Sequence, residues 1–445
     1  MKEKRSASIS GNQRPEGLQR RKSLLIRGGH VIDPANQIDG PADILIRDGK
    51  IAAIGPKLKE SAEESIDARG LVLTPGLIDM HVHLREPGFE HSETIESGAR
   101  AAAAGGFTSI CPMPNTAPVN DSATVTTYIV EKARRHAIVN VFPIGAITRG
   151  SLGEELAAIG SMRQAGAVGI SDDGRPVMNA QLMRRAMEFA RSFKMPVINH
   201  CEDLHLSAGG DMHEGAESVR LGLRGIPGSS EDVMVARDIL LAELTGARYH
   251  VAHISSRHSV EMVAFAKLKG LAVTSEATPH HLTLTDAGMI PYDSNYKMKP
   301  PLRSASDVNA VVEGVVNGAI DAIATDHAPH AGSEKMQEFE KCPFGIIGLE
   351  TALGIALEHL VHSGKISLGR LIEMFTVNPA RILSIPRGTL AAGAVGDVTI
   401  FSPDRQWTYD VNKSLSKSRN TPFDGVSFHG GPIATIVTGK IVWQA

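Results

Sequence analysis

What is scarce in this sequence of 445 residues argues against a disulfide-rich, zinc-finger, membrane-spanning or exported protein. Its three cysteines, Cys111, Cys201 and Cys342, are odd in number and far apart, which argues against a disulfide framework or a zinc finger and indicates reduced thiols. No apolar run approaches the ~20 residues of a membrane helix, and the N-terminus has no apolar signal core. We therefore expect a cytoplasmic protein that does not associate with membranes.

Net charge is also small, because 46 lysines and arginines face 49 aspartates and glutamates, a balance of −3. Such a chain offers no overall electrostatic attraction for nucleic acid or an anionic membrane, so we expect a small-molecule substrate. Residues 1–22 depart from this balance with seven basic side chains, two acidic ones and almost no apolar content. Their composition predicts a flexible basic extension.

The middle of the chain, residues 76–385, alternates apolar runs with helical segments at the spacing of βα units. Helix starts are expected at Ser151, Asn179, Ser229 and Ser304. Eight such units, without the glycine-rich phosphate fingerprint of an open doubly wound sheet, predict a (β/α)₈ TIM-type barrel within an α/β fold. The runs are GLIDMHVH, FTSICPMPN, NVFPIGAI, AVGISDD, PVINHCE, YHVAHIS, AVTSEATPHH and AIDAIATDH.

Both ends of the chain look like short β-strands. Within residues 23–75, Asp48-Gly49 separates two apolar segments, which is a hairpin signature. Within residues 386–445, the stretch TGKIVW echoes RDGKIAAIG from the first end. Because chain ends often lie close together on a domain, we predict one small, discontinuous β-sandwich domain built from both ends.

Polar residues gather at the ends of the eight runs, where a barrel of this kind builds its active site. His81 and His83 lie two apart on one strand, so both imidazoles can face one metal ion at ~2.0–2.1 Å. His200 and His253 end runs five and six and complete four nitrogen ligands. Each histidine alone is as well explained by a structural role, and the metal site depends on their conjunction.

Two aspartates complete the candidate site. Asp173 ends run four and could bridge two cations, whereas Asp172 points the other way by strand alternation. Asp326 ends run eight, where a carboxylate can take a proton from an activated water and return it to a leaving nitrogen. The alternative for Asp326 is a helix cap or a loop-stabilising residue.

The stretches HVHLREPG, MPNTAPV, ISDDGRPV, NHCED, AHIS, TPHHL, KPPLR and ATDHAPH together resemble the class I dihydroorotases of the amidohydrolase superfamily, over roughly residues 70–385. The resemblance implies reversible cyclisation of N-carbamoyl-L-aspartate to L-dihydroorotate in pyrimidine biosynthesis, with one or two Zn²⁺ ions. By position it implies metal ligands His81, His83, Asp173, His200, His253 and Asp326, with Asp326 also the general acid/base, and substrate contacts Arg85, Asn115, His330, Phe344 and Gly345.

Lys299 departs from the family, which often has asparagine there, so no substrate contact is carried over to it. Alternatives remain a hydantoinase or allantoinase, whose carboxylated lysine on strand four has no counterpart here, and a non-catalytic partner of aspartate transcarbamoylase. A homodimer and association with that enzyme are the assemblies that the resemblance implies.

Overall fold

The residues described by this computed structural model, 23–289 and 292–445, begin with strands of one sheet. Residues 1–22, where a basic extension is predicted, lie outside this described part. The second and third strands join at Asp48-Gly49, whose φ angles of 50° and 72° are both left-handed, as a type I′ hairpin requires. The predicted hairpin is therefore present. The strands are β1 (Leu24–Asp33), β2 (Ile38–Arg47), β3 (Lys50–Gly55), β4 (Glu64–Asp67) and β5 (Val72–Pro75).

Each of the eight predicted apolar runs contains at least one strand. Run three holds two short strands, and a separate two-stranded ribbon follows run five. The strands are β6 (Leu77–Val82), β7 (Phe107–Pro112), β8 (Asn140–Val141), β9 (Ile144–Gly145), β10 (Gly169–Ile170), β11 (Val197–Asn199), β12 (Met212–His213), β13 (Gly225–Ile226), β14 (Tyr249–Val251), β15 (Val273–Ala277) and β16 (Ala322–Ile323).

Parallel pairing follows the order of these runs along the chain. β6, β7 and β8 form one parallel group, and β9, β10, β11, β14, β15 and β16 form another. Since β8 and β9 belong to the same run, that run adjoins both groups. A single parallel bridge between Val82 and His327 connects the end of β6 with the residues that follow β16.

Helices separate the strands as the βα pattern predicts. The side chains of Asn179 and Ser304 cap the helices that follow them, as expected. Two predicted starts are wrong: Gly228 caps the helix that begins at Ser229, and Ser151 lies in a short 3₁₀ turn. The helices are α1 (Ile95–Ala104), α2 (Ala123–His136), α3 (Ile159–Ala165), α4 (Ala180–Ser192), α5 (Ala216–Leu221), α6 (Ser229–Thr245), α7 (Arg257–Leu268), α8 (Ala305–Asn317), α9 (Gly332–Lys335), α10 (Ala352–Ala356), α11 (Leu368–Phe375) and α12 (Val377–Leu383).

The C-terminal strands return to the N-terminal sheet. They are β17 (Val398–Thr408), β18 (Ser427–Val437) and β19 (Lys440–Gln444), and β17 pairs antiparallel with β5. One mixed sheet of order β19-β18-β17-β5-β1-β2-β3 results, with β4 beside β1. Strands from residues 24–75 and 398–444 therefore lie in one sheet. Its apolar cluster includes Ile26, Ile44, Val398 and Ile436.

Strand ends position the candidate site. On β6, the buried polar side chains of Asp79 and His81 alternate with Ile78 and Met80, which pack with apolar residues of neighbouring strands. Parallel strands bring their carboxyl ends to one edge, where residues of several runs meet. Within the described residues, no helix is both long and apolar enough to cross a membrane.

Candidate active site

Two histidines at the end of β6 open the site. The Nδ1 atom of His81 lies 2.7 Å from Glu276 Oε1, so Nδ1 carries the proton and Nε2 carries a lone pair. The Nδ1 atom of His83 lies 2.9 Å from Asn115 Oδ1, which assigns the same tautomer. Both Nε2 atoms therefore present lone pairs to the centre of the site.

Two buried aspartates face these lone pairs. Asp326 Oδ1 lies 3.0 Å from His83 Nε2 and 3.6 Å from His81 Nε2, while Asp173 Oδ1 lies 3.3 Å from His81 Nε2. A lone pair and a carboxylate repel at such distances unless positive charge lies between them. Burial lowers the pKa of His81, but Asp173 and Asp326 raise it, and the net pKa is well above the usual value. The cluster attracts a cation, whether a proton or a metal ion.

His200 and His253 bring two more imidazoles from the ends of β11 and β14. Glu202 Oε2 lies 3.0 Å from His200 Nε2, and His200 Nδ1 lies 2.9 Å from His253 Nε2. Asp173 Oδ1 is 3.7 Å from that His200 Nδ1 atom and 3.6 Å from His253 Nε2. Asp173 thus lies between the first pair of histidines and the second.

Unpartnered buried atoms test whether these residues fit a metal. Among the described residues, His81 Nε2 and Asp173 Oδ1 are buried without a hydrogen-bond partner, which native proteins rarely tolerate. Ligand atoms of His81, His83 and Asp326 lie within 4.8 Å of one another, and so do those of His81, Asp173 and His253. Imidazole and carboxylate ligands suit zinc and several other divalent cations. The donor set therefore fits a divalent metal ion.

Three residues of the site have strained backbone conformations. The φ angles are 59° at Arg85, 31° at His253 and 45° at Asp326. These angles lie in the left-handed region, which residues other than glycine seldom adopt. Such conformations cost about 1–3 kcal/mol each and persist where the surroundings hold them. The fold therefore holds these three side chains in positions that a relaxed backbone would not give them.

A carboxylate and a histidine behind His81 were missed by sequence reasoning. Glu276 and His250 are fully buried on β15 and β14, and Glu276 Oε2 lies 3.3 Å from His250 Nε2. Burial raises the pKa of Glu276, but His250 and His81 lower it more, to about 2. Both residues lie inside apolar runs, where an ionisable side chain is the signal that could have singled them out, but their place beside His81 depends on the order of the strands.

Lys299 has a defined partner at the mouth of the site. Its Nζ atom lies 2.6 Å from Glu202 Oε1, the carboxylate that also holds His200, and 5.0 Å from the centre of the Phe344 ring. Burial raises the pKa of Glu202, but His200 and Lys299 bring it well below the usual range. Lys299 therefore neutralises the carboxylate of Glu202, which bonds to the candidate metal ligand His200.

The residues expected to contact substrate lie beside the imidazoles. Arg85 Nε donates to Pro329 O at 3.0 Å, and its Nη2 lies 3.3 Å from His330 Nε2. His330 Nε2 lies 2.9 Å from Phe344 O, next to Gly345. Asn115 joins His83 to Asp173, because its Nδ2 donates to Asp173 Oδ2 at 3.5 Å. Close contacts therefore join the six candidate metal ligands and Asn115 in one group, and Arg85, His330, Phe344 and Gly345 in a second group. Lys299 lies between Phe344 of the second group and Glu202, the partner of His200.

Asp172 points away from this cluster, as strand alternation predicts. Its carboxylate accepts hydrogen bonds from the backbone N–H of Ile147, at 2.8 Å, and from the backbone and hydroxyl of Thr148. Burial raises its pKa to about 6. Asp172 therefore fastens the loop after β9, and Asp173 alone faces the histidines.

Comparison with known proteins gives a consistent result. A family model described as dihydro-orotase-like matches residues 70–259. A dihydroorotase of Solibacter usitatus is 69% identical over 421 residues, which cover 95% of this chain and 98% of that protein. A dihydroorotase of Pelotomaculum thermopropionicum is 55% identical over the same shares of the two chains.

Solved structures add the fold. An L-hydantoinase (dihydropyrimidinase) from Arthrobacter aurescens superposes with a TM-score of 0.86 at 27% identity, covering 95% of this chain and 96% of that one. A dihydropyrimidinase from Brevibacillus agri gives 0.83 at 26% identity, covering 95% of each chain. The architecture is therefore that of the TIM-barrel amidohydrolases. The sequence is more similar to the two dihydroorotases, at 69% and 55% identity, than to these two solved structures, at 27% and 26%.

Proposed function

This chain belongs to the dihydroorotase family of cyclic amidohydrolases, and from that premise we propose that its imidazole–carboxylate cluster interconverts N-carbamoyl-L-aspartate and L-dihydroorotate. The observation that carries the proposal is the convergence of four imidazoles and two aspartates at one buried centre, with a guanidinium beside them. A cyclic amide that bears a carboxylate needs both parts: a centre that activates water and a cation that binds the carboxylate.

Zinc is the metal we propose, with one or two ions per chain. The zinc would be held by six residues whose ligand atoms share the buried centre. They are His81, His83, Asp173, His200, His253 and Asp326. When bound, zinc supplies a Lewis acid that polarises the reacting carbonyl group. The paired aspartates support a site for more than one positive charge, since two carboxylates lie against two imidazole lone pairs.

Asp326 is the proposed general acid and base. In hydrolysis the ring C–N bond breaks, and Asp326 takes a proton from the attacking water and returns it to the departing nitrogen. Ring closure reverses both transfers. Burial raises the pKa of Asp326, but His81 and His83 lower it more, which supports a carboxylate that is ionised before the water attacks.

Arg85 and Asn115 are proposed to bind the substrate carboxylate, with His330, Phe344 and Gly345 forming the facing wall. The Arg85 guanidinium is held by the bond from Nε to Pro329 O and by the contact of Nη2 with His330 Nε2, and its remaining Nη hydrogens are the proposed donors to the carboxylate. Burial and the neighbouring Arg85 guanidinium together lower the pKa of His330 to about 3. A neutral His330 can therefore donate or accept a hydrogen bond without repelling Arg85.

Finer features of the fold belong to the same proposal. The bridge between Val82 and His327 supports a closed (β/α)₈ barrel over residues 76–385. Strands from both chain ends support one small domain over residues 23–75 and 386–445, which we propose to be a β-sandwich. We also propose a cytoplasmic homodimer that can associate with aspartate transcarbamoylase, on family resemblance alone.

Asp326→Asn is the direct test. We expect turnover of dihydroorotate to fall by at least about 100-fold while zinc, measured by mass spectrometry, stays bound, because five ligands remain. Asp321→Asn is the matched control, since that aspartate precedes β16 and pairs with Lys267 away from the site. Near-normal turnover by Asp326→Asn removes this residue from the mechanism, and full activity after complete chelation removes the metal.

Hydantoinase activity is a second candidate, favoured by the structural neighbours named above. Assays of the wild-type protein with dihydroorotate, hydantoin and allantoin separate the two. We expect the highest kcat/KM with dihydroorotate, because Arg85 offers a partner for its carboxylate. No turnover of any of the three by zinc-loaded protein would instead favour a non-catalytic partner of aspartate transcarbamoylase.

A further inference from the structure

A segment between β17 and β18 leaves the terminal sheet and reaches the mouth of the barrel. Ser416 donates its hydroxyl to Glu93, and the backbone N–H of Lys417 donates to the same carboxylate at 3.2 Å. Ser418 Oγ donates to the carbonyl of Ser92 at 2.7 Å. These bonds fasten residues 416–418, from the C-terminal part of the chain, to the residues just before α1.

Asn420 extends this segment to the substrate side of the site. It is 3% exposed, and its Oδ1 atom accepts a hydrogen bond from the backbone N–H of His330 at 3.0 Å. Its Nδ2 atom donates to the carbonyls of Ala328 and Gly345, both at 2.9 Å. The backbone N–H of Ile347 donates to the Asn420 carbonyl at 2.9 Å. One amide therefore uses both of its donor hydrogens and an acceptor to join two separate stretches of backbone.

Those two stretches carry proposed substrate contacts. His330 and Gly345 belong to them, and Pro329, between two of the bonded residues, accepts the hydrogen bond from Arg85 Nε. Both stretches lack helix or extended strand structure, apart from single bridges. Asn420 thus fixes the backbone that carries His330 and Gly345, together with the Pro329 carbonyl that accepts the bond from Arg85.

Its contacts do not reach the proposed metal ligands. Within the described part of the chain, its side-chain hydrogen bonds all end on the backbone of residues 328, 330 or 345. The metal half of the site is supported from elsewhere, by Glu276, Glu202 and Asn115. Loss of the Asn420 amide should therefore disturb substrate binding and leave the metal in place.

We propose that Asn420 is a positioning residue for substrate recognition, through which the C-terminal segment completes the wall that faces the substrate carboxylate. This inference rests on the proposed function. It predicts that KM responds to Asn420 more than kcat does, because the interactions it organises bind substrate and transition state alike.

Asn420→Ala and Asn420→Asp are the test variants, and Asn412→Ala is the matched control. Asn412 is exposed on the same segment, and among residues 23–289 and 292–445 its side-chain amide bonds only to Asp410. Asn420→Asp keeps the acceptor for His330 N–H but places a carboxylate oxygen against two carbonyl oxygens in place of the NH₂ donor. We expect KM for dihydroorotate to rise about 10-fold to 100-fold in both variants, with kcat within about threefold and zinc content unchanged.

Hydrogen–deuterium exchange provides the second readout. Faster exchange in peptides covering residues 328–330 and 345–347, with β14 and β15 unaffected, would support local positioning even if activity is too low to measure. An unchanged KM, a fall in kcat alone, loss of zinc, or faster exchange throughout the chain in both variants would each overturn the proposal. Absence of turnover by the wild-type protein would instead overturn the proposed function, and this inference with it.

Discussion

Replacing Glu276 with glutamine should weaken metal binding although Glu276 is not among the proposed ligands. Its two carboxylate oxygens face different imidazoles, at 2.7 Å from His81 Nδ1 and 3.3 Å from His250 Nε2. A glutamine of the same shape keeps one acceptor oxygen and turns an NH₂ group toward the other ring. Either the hydrogen bond to His81 Nδ1 or the negative charge that strengthens it is then lost, so the His81 tautomer is held less firmly.

The size of the effect can be worked from these contacts. A hydrogen bond to a charged group contributes about 1.5–3 kcal/mol, and about 1.4 kcal/mol corresponds to a factor of ten in affinity. Loss of one such bond therefore predicts a roughly 10-fold to 100-fold weaker affinity for zinc. The same range is typical when an outer partner of a ligating histidine is removed.

Competition with a chromophoric chelator measures this affinity directly. Glu86→Gln is the control, because Glu86 is also buried and accepts hydrogen bonds, but its contacts are with Lys132, Tyr128 and the start of α1. We expect that control to retain wild-type zinc affinity. A folded Glu276→Gln protein whose affinity lies within about twofold of wild type would refute the assigned tautomer and the role of Glu276 behind His81.

Three further substitutions test other parts of the structure. Arg85→Lys should raise KM about 10-fold or more with kcat less affected, because lysine cannot bind a carboxylate through two parallel hydrogen bonds. Gly345→Ala should also raise KM, measured with dihydroorotate, since its φ is 157° and a Cβ there would lie 2.5 Å from the carbonyl oxygen of Ala328. Burial lowers the pKa of His281 to about 4 in the folded protein. As the pH falls, the unfolded chain therefore takes up a proton on this histidine before the folded protein does. The free energy of unfolding should fall by up to about 3 kcal/mol as the pH decreases from 6.5 to 4. Denaturation of His281→Gln should show a shallower fall than wild type or the exposed-site control His205→Gln, and equal slopes would contradict it.

The ligand cluster could be predicted because its histidines and aspartates lie at the ends of apolar runs that the sequence predicts to be strands. Histidines two apart place both rings on one side of a strand, and the same alternation separates Asp173 from Asp172. The structure places His81 and His83 together and turns Asp172 toward the loop after β9. Left-handed φ angles at Asp48 and Gly49 likewise follow from a two-residue turn between apolar strands.

Other features depend on contacts between distant residues, which a local pattern does not encode. Glu276 lies 195 positions from His81, and only the parallel order of the strands brings them together. Asn420 comes from a segment with ordinary loop composition. Ser151 fits a capping pattern, but the chain there turns around Asp172, which accepts a bond from the Ser151 hydroxyl at 3.3 Å, and the next helix starts at Ile159.

The residue that follows β10 bears on substrate choice, which the overall fold does not determine. The overall architecture matches hydantoinases as closely as a TM-score of 0.86, so the backbone alone does not decide which cyclic amide is opened. The side chain between the two histidine pairs is Asp173, which reaches His81 and His253 directly without a modified lysine. Its carboxylate also accepts a bond from Asn115, which in turn holds His83. Because Asn115 is a proposed substrate contact, the aspartate proposed for the bridging position is bonded to a residue that would bind the substrate carboxylate, and specificity for an acidic ring would follow from that connection.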